Sequence, residues 1–525
     1  MKRLFCLFLS LMMLVTAFSG CGRSLDNSGY IPTGDAMLME DQNPEDVLTG
    51  EPDTQDLTLA YYAERSMNPL YGSDYTNRVL MSLMYQGLFA TDASNNTYPI
   101  LASGYKTTTD NRTWTIYLEK NATFSDGTRV TLQDVLASYE QAKKNVFYKG
   151  RFTHIARIEL SSDGGIDFFL DTPYQNLALL LDIPIVKAAE VEAEHPLGTG
   201  PYSFEQGLSG AHLQRVSNWW CGNTKLAATD MSISLVEAES PAQIRDEFEF
   251  GDVSLACANP QTDSYTDYRC DYELWEIENG YVMFLGCNVT WSDFFDDGTL
   301  RTLLTYAIDR ESLVQENYDG LANTATLMVS PASPYYSTSL AEKYQYDDLR
   351  FIQAISGFSI PRDKKNQQKT LRLLVNNDDS ARLRIARSLA ATLTDFGLPC
   401  ETLEHSTATY EAVLNARNYD IFLGVTRLSP TYDLSEVYKD WGAIGSYGGM
   451  ANTTLNNMAN LALEDKGNYY NLLKMVADDG RVIPIFFGYY AVYAKRGVLS
   501  DLTPSRDNVF FYTLGKTMEG TRITD

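Results

Sequence analysis

Apolar and polar positions alternate along residues 57–62, Leu-Thr-Leu-Ala-Tyr-Tyr, and the alternation predicts a strand. From 79 to 89 the apolar residues recur at helical spacing with Gly87 near the end, so the folded part opens β then α. Residues 113–118, Thr-Trp-Thr-Ile-Tyr-Leu, read as a strand and Ser125-Asp-Gly-Thr128 as a turn. Thr131 then opens a helix with Asp134 in the reciprocal position of a capping box. Residues 155–160 and 166–170 flank Ser161-Ser-Asp-Gly-Gly165, a hairpin signal. Further on, Leu300, Leu303, Leu304, Ala307 and Ile308 share one face of a helix predicted over 300–318. Residues 371–375 alternate as a strand, and 381–396 form an amphipathic helix with Leu383, Ala386, Ala390 and Leu393 on its stripe, stopped by Gly397 and Pro399. A short strand at 400–403, a helix at 408–417 and a buried strand at 419–425 complete a βαβαβ unit. That unit belongs to a mostly parallel sheet covered by helices.

The chain has 525 residues, which at ordinary domain sizes means about two to four domains. Its net charge of −26 repels nucleic acid, so no nucleic-acid partner is expected. The four histidines, His154, His195, His212 and His405, stand in no metal-ligand spacing. Gly207-Leu-Ser-Gly210 lacks the spacing of a nucleophile elbow, and neither a zinc-protease helix nor a phosphate-binding glycine loop occurs. Asp296-Asp297 and Asp478-Asp479 read as helix-start or loop charges. No catalytic residue, metal or cofactor is expected. Thirty-four Tyr, 23 Phe and 6 Trp point instead to amphipathic contact area.

Lys2 and Arg3 precede an apolar run, residues 4–15, too short to span a bilayer, and small residues lead on to Cys21. The Phe18-Ser-Gly-Cys21 ending resembles the lipobox of bacterial lipoproteins, which implies a signal peptide over 1–20 and a diacylated Cys21 anchoring the chain to the membrane. Removing residues 1–20 removes two bases and no acid, so the net charge falls to −28. Residues 22–56 hold nine acids, one base and three prolines, and 21–56 is read as lipidated cysteine plus disordered acidic tether. The other cysteines of the mature chain, Cys221, Cys257, Cys270, Cys287 and Cys400, are odd in number and contain no CxxC. They read as small buried thiols, with a Cys257–Cys270 pair as the open alternative.

Several blocks occur in a telling order: Met67-Asn-Pro-Leu70, Leu83-Met-Tyr-Gln-Gly-Leu-Phe89, Pro99-Ile-Leu-Ala-Ser-Gly-Tyr105, Trp114-Thr-Ile-Tyr-Leu118 and Ala122-Thr-Phe-Ser-Asp-Gly-Thr128. Gly198-Thr-Gly-Pro-Tyr202, Asn218-Trp-Trp220, then Asn288 with Leu300-Arg301 and Ala307-Ile-Asp-Arg310 follow. In this order they resemble the solute-binding lipoproteins of ABC importers, of the oligopeptide- and dipeptide-binding type (bacterial extracellular solute-binding family 5), over most of residues 57–512. The resemblance implies an α/β, two-lobed periplasmic-binding-protein fold of type II with an extra domain, mixed and mostly parallel sheets, and a hinge between the lobes. The lobes are placed at 57–90, 191–280 and 481–525 for lobe I, 91–190 for the extra domain, and 281–480 for lobe II. Gly280-Tyr-Val-Met-Phe284 and Arg481-Val-Ile-Pro-Ile-Phe-Phe487 are the hinge candidates.

Function follows from the same resemblance: an extracytoplasmic, lipid-anchored, monomeric receptor, not an enzyme, that encloses a peptide-like solute and hands it to ABC permease subunits. Bound peptides in this family lie along strand edges. Here those edges are Ala63-Glu64-Arg65 and Gly424-Val425-Thr426-Arg427. Arg427 is either a fork for a solute carboxylate or half of an intramolecular ion pair. Trp219, Trp220, Trp291 and Trp441 either line the cleft or pack, and Asn288 joins the candidates. Where the family carries an acid for the peptide ammonium, this chain has Leu428, with Asp433 five residues on, and Gln86 replaces a usual Glu. The alternatives are a non-peptide solute such as a metal chelate or glycoside, a non-transport surface interaction protein, or a hydrolase.

Overall fold

The computed structural model describes residues 57–72, 74–208, 210–222, 232–261, 268–439, 450–499 and 502–510. The signal and tether readings, Cys21 and Trp441 lie outside the described residues. The strands are β1 (Thr58–Tyr61), β2 (Phe89–Thr91), β3 (Thr97–Pro99), β4 (Ala102–Thr107), β5 (Thr113–Leu118), β6 (Ile155–Leu160), β7 (Ile166–Leu170), β8 (Tyr202–Gly207), β9 (Gly210–Arg215) and β10 (Ser232–Glu237). There follow β11 (Leu255–Ala258), β12 (Tyr272–Cys287), β13 (Ala322–Thr324), β14 (Leu371–Asn376), β15 (Cys400–His405), β16 (Ile421–Arg427) and β17 (Val482–Lys495). Helices that matter below are α1 (Tyr75–Met84), α2 (Leu132–Ala142), α3 (Pro241–Phe250), α4 (Arg310–Tyr318), α5 (Ser380–Asp395) and α6 (Thr407–Ala416).

One sheet runs in the order β15-β14-β16-β12-β17-β11-β1-β10-β9-β8, with β13 added beside β17. Its parallel pairs are β1 with β10 and β11, and β14 with β15 and β16. The other pairs are antiparallel, which corrects the expectation of a mostly parallel sheet. The reason is topological. Parallel units built by helical crossovers sit in each lobe, while the chain enters the second lobe on β12 and returns on β17, and strands that go and come back pair antiparallel. The predicted unit is present as β14-α5-β15-α6-β16. A four-stranded antiparallel sheet, β4-β5-β7-β6, and the β2–β3 ribbon form the extra domain.

Period-two alternation divides the second lobe's core. Val282 and Phe284 of β12 pack into one hydrophobic cluster with Phe422 and Leu374, whereas Met283, Leu285 and Cys287 face a second with Ile421, Leu423, Leu371 and Leu373. Helices cover both faces, so strands buried on two sides read as continuous apolar runs.

Local chemistry sets the helix starts. Thr131 and Asp134 close the capping box of α2, with the Asp134 carboxylate accepting from the Thr131 backbone N–H at 2.8 Å. The α5 stripe is Ile385, Ala386, Leu389, Ala390 and Leu393, and Leu383 sits at its margin, half-buried. The single helix expected over 300–318 is instead three pieces: Thr299–Leu303, a 3-10 turn Leu304–Ala307, and α4. Ile308 is extended (φ −99°, ψ 102°) and Asp309 caps α4 by accepting from the Ser312 N–H. The break is pinned by Arg310, 5% exposed, whose guanidinium donates to the carbonyls of Pro484 (3.0 Å) and Thr305 (3.2 Å) and to Thr305 Oγ1 (2.9 Å). Both glycines of Gly198-Thr-Gly-Pro-Tyr202 are required by close approach, since a Cβ at Gly198 would lie 2.1 Å from the Met84 carbonyl oxygen and one at Gly200 2.4 Å from that of Leu83. This motif thus docks onto the C-terminal end of α1.

Candidate functional site

The pairing of β12 with β17 is interrupted between Glu278 and Val282. At the interruption Asn279, fully buried, donates from Nδ2 to Gln261 Oε1 (2.7 Å) and to the Tyr489 carbonyl (3.1 Å), and its Oδ1 accepts from the Tyr281 N–H (2.9 Å). Gly280 follows at φ +76°, where a Cβ would meet the Arg506 guanidinium at 2.1 Å. The crossing strands therefore diverge where both lobes come within reach. A cavity of about 220 Å³ lies there, lined from the first lobe by Asn259 and Gln261, from the crossing by Tyr281, Met283 and Phe486, and from the second lobe by Tyr318, Asp379, Arg382 and Val425.

Three polar atoms on this lining are buried without a hydrogen-bond partner among the described residues: Gln261 Nε2, Tyr318 Oη and Arg382 Nε. The Gln261 amide is oriented by Asn279, which turns its NH₂ elsewhere. Tyr318 is 3% exposed, and burial pushes its phenol well up, so it remains a neutral donor at physiological pH. Arg382 Nε stands 3.3 Å from Asp379 Oδ2. Asp379 already caps α5, accepting from the Arg382 N–H at 2.9 Å. The cavity thus offers an amide NH₂ and a phenol with no acceptor among the described residues, beside the Arg382–Asp379 ion pair. Leaving such groups dry costs about 1–3 kcal/mol each.

A second cavity, about 90 Å³, lies between α1, β2, Tyr148, Asp182, Pro430 and residues 505–508. Asp507 on its lining is the centre of a cluster of buried charge. Asp507 accepts from Arg427 Nη2 (2.6 Å) and Arg151 Nη2 (2.8 Å), with Arg506 Nε at 3.9 Å. Burial alone would raise the Asp507 carboxyl, but Arg427, Arg151 and Arg506 hold it far below the usual carboxylate range. Arg427 also donates from Nε to the Asn279 carbonyl (3.0 Å) and lies 3.9 Å over the Phe147 ring.

Of the sequence candidates, Val425 lines the larger cavity, and Arg427, two residues on, is engaged within the chain by Asp507. Thr426, between them, pairs with Val282 of β12. Beyond Phe422 the β16 edge away from β12 has no strand partner among the described residues. Ala63-Glu64-Arg65 form a turn and not a strand edge, because β1 is already paired on both sides; Arg65 ion-pairs with Asp74 and stacks on Tyr62. Trp219 and Trp220 both donate to the Thr199 carbonyl (2.7 and 3.1 Å), and Trp220 also to Gln86 Oε1 (3.1 Å), so they fasten the glycine motif. Asn288 ties β12 to the carbonyls of Arg417 and Tyr419, and Trp291, half exposed, carries Arg417 over its ring. Leu428 is buried in the second lobe's core.

Asp433 is buried against His154 of the extra domain, whose Nε2 meets Asp433 Oδ2 and Ser435 Oγ at 3.0 Å each while Nδ1 meets Asp171 at 2.9 Å. Burial would lower His154, but the two carboxylates outweigh it and hold the imidazole above its ordinary value. Ser435 is 2% exposed and shares Nε2 with Asp433, so its hydroxyl is held inside this chain of groups. Asp478 and Asp479 close a helix, Tyr469–Asp479, where a helix start or loop was expected; Asp478 accepts from Tyr344 and Asp479 pairs with Arg481. Cys257, Cys270, Cys287 and Cys400 are free thiols; Cys287 is buried as expected, whereas the other three are half-buried at the margins of their clusters. Among the described residues no His/Cys/Asp/Glu group has a metal-holding arrangement, and no helix is long and apolar enough to cross a membrane.

The fold is that of two lobes joined by the crossing strands β12 and β17, with a donor-lined cavity beside the crossing. Residues 96–443 match the bacterial extracellular solute-binding proteins, family 5 (middle), and the chain belongs to that family. It is 25% identical over 321 residues to the glutathione-binding protein GsiB of Salmonella choleraesuis, a match spanning 56% of this chain and 60% of that one. It is 24% identical over 397 residues to the oligopeptide-binding protein AppA of Bacillus subtilis, covering 70% and 72%. The fold is shared with the ABC transporter substrate-binding protein CtaP of Listeria monocytogenes, at a TM-score of 0.68, 19% identity, and coverage of 87% and 98%.

Proposed function

We propose that this protein is the extracytoplasmic receptor of an ABC importer, anchored by a lipid on Cys21, and that it captures a small peptide-like solute bearing a carboxylate. The observation that carries the solute class is a pair of donors without a partner among the described residues, Gln261 Nε2 and Tyr318 Oη, on one interlobe cavity beside the Arg382 guanidinium. A carboxylate supplies up to four acceptor sites for these donors and a second anion for the Arg382 guanidinium, whose Nε already faces Asp379. Enclosure between lobes strengthens that contact, because closing removes competing water. Solute binding draws the lobes toward the closed form, and the permease docks on that form. Family membership supports transport as the purpose.

The test begins with native mass spectrometry of residues 22–525 purified without denaturation, which weighs any solute carried along. Calorimetric titration with alanyl-alanine and its C-terminal amide then compares wild type with Arg382→Gln. The substitution is expected to weaken the free acid at least about tenfold (1.4 kcal/mol) more than the amide. Equal losses for acid and amide would overturn the carboxylate assignment, and a metal chelate or glycoside in the mass spectrum would replace the peptide reading.

A further inference from the structure

One side-chain pair links residues of the two cavities: Asp507 lines the smaller, and its partner Arg427 lies two positions along β16 from Val425, which lines the larger. Arg427 follows Val425 by two residues on β16, so both side chains project from the same face of the strand. Val425 lines the larger chamber, and Tyr281, also on its wall, sits opposite Arg427 in the β12–β16 register with the guanidinium 5.7 Å from its ring. Arg427 in turn meets Asp507, which lines the smaller cavity together with Arg506 and Pro430. Phe147 covers the guanidinium, and the side chains of Arg427 and Asp507 are 12% and 13% exposed. The groups that hold the pair come from every neighbouring element: Arg151 from the extra domain, Asn279 from the crossing strand, Arg506 from the C-terminal segment.

We propose that the Arg427–Asp507 pair is a partition that sets the length of the solute, confining it to the chamber on the Arg382 side. The undivided chamber of about 220 Å³ falls below the range of about 300–1,000 Å³ usual for drug-sized ligands, so it suits a solute of dipeptide size. The unpaired edge of β16 beyond Phe422 would accept main-chain hydrogen bonds from a longer peptide, yet such a peptide runs into Arg427 before leaving the chamber. Arg427 is therefore a specificity-determining residue. Its removal leaves Asp507 neutralised by Arg151 and joins the two cavities.

This inference rests on the solute-binding reading above, and the experiment separates the two. Alanine oligomers from two to six residues are titrated calorimetrically into wild type, Arg427→Ala and Arg427→Met, the last keeping much of the side-chain length without the charge. Wild type is expected to prefer the dipeptide over the pentapeptide by at least about 100-fold, Arg427→Ala to cut that ratio by at least about tenfold, and Arg427→Met to retain most of it. A wild type that binds two and five residues equally, or an Arg427→Ala protein that binds the dipeptide with an unchanged length profile, overturns the partition alone. Binding of no oligomer by wild type overturns the peptide-like reading and the partition with it.

Discussion

Replacing Asp507 by Asn removes one negative charge from among three guanidinium groups while keeping the side-chain shape. In the native protein Arg427 and Arg151 donate to this carboxylate at 2.6 and 2.8 Å, and all three partners are nearly buried. Taking one partner out of a buried ionic cluster costs about 3–5 kcal/mol, because the remaining charges stay desolvated and uncompensated. Arg151 keeps a second carboxylate, Asp182, which places the expected cost near 3 kcal/mol. With an unfolding entropy of about 2.1 cal/mol/K per residue over a chain of this size, each kcal/mol moves Tm by about 1 °C. Scanning calorimetry at pH 7 should therefore find Asp507→Asn lower by about 3 °C. The Asp507 carboxyl is depressed in the folded state, so its contribution is complete above the unfolded value of about 3.9 and declines as pH falls toward the folded value, by about 1.4 kcal/mol per pH unit. The gap between the two proteins should hold constant from pH 6 to 8 and narrow between pH 4 and 3. A Tm difference under about 1 °C at pH 7, or one unchanged down to pH 3, would refute the hub.

His154→Gln tests the contact between the extra domain and the second lobe. The His154 imidazole is raised by Asp433 and Asp171, so its stabilisation is complete below about pH 6.5 and is lost as pH rises through the folded value. A deficit of about 1.5–3 kcal/mol at pH 5.5, measured by denaturant titration, should shrink by pH 8.5, and a deficit that grows with pH would count against the ionic reading. Gly200→Ala pushes a methyl against the Leu83 and Met84 backbone and should cost about 1–3 kcal/mol of stability with the solute affinity retained; an unchanged Tm would mean the motif is not closely docked. Cys21→Ser should release the protein from membranes into the soluble fraction, whereas membrane retention of the variant would point to another tether.

Local periodicity made much of the fold legible. The strands and helices of the βαβαβ unit over residues 371–427, the β6–β7 hairpin and the capping box at Thr131 each follow from residue spacing within a few positions. Where a distant group intervened, the pattern misled: the helical period runs through residue 308, but Arg310 reaching the Pro484 carbonyl broke the helix there.

The site was legible in part. Val425 on the chamber, and Arg427 two residues beyond it, were found because β16 itself was readable, while Gln261, Tyr318 and Arg382 carried no local signal. Their donors converge only because β11, α4 and α5 are packed around the crossing strands. By itself the amino-acid sequence determined the lobes' elements, the acidic charge and the ordered motifs that place the chain in its family, since those follow from short-range spacing and composition. The tertiary structure alone decided that Arg427 meets Asp507, eighty positions away, and that the unpaired donors share one enclosed space. Ion-pair partners and cavities are set by which elements meet after folding, and periodicity along a chain holds no record of that.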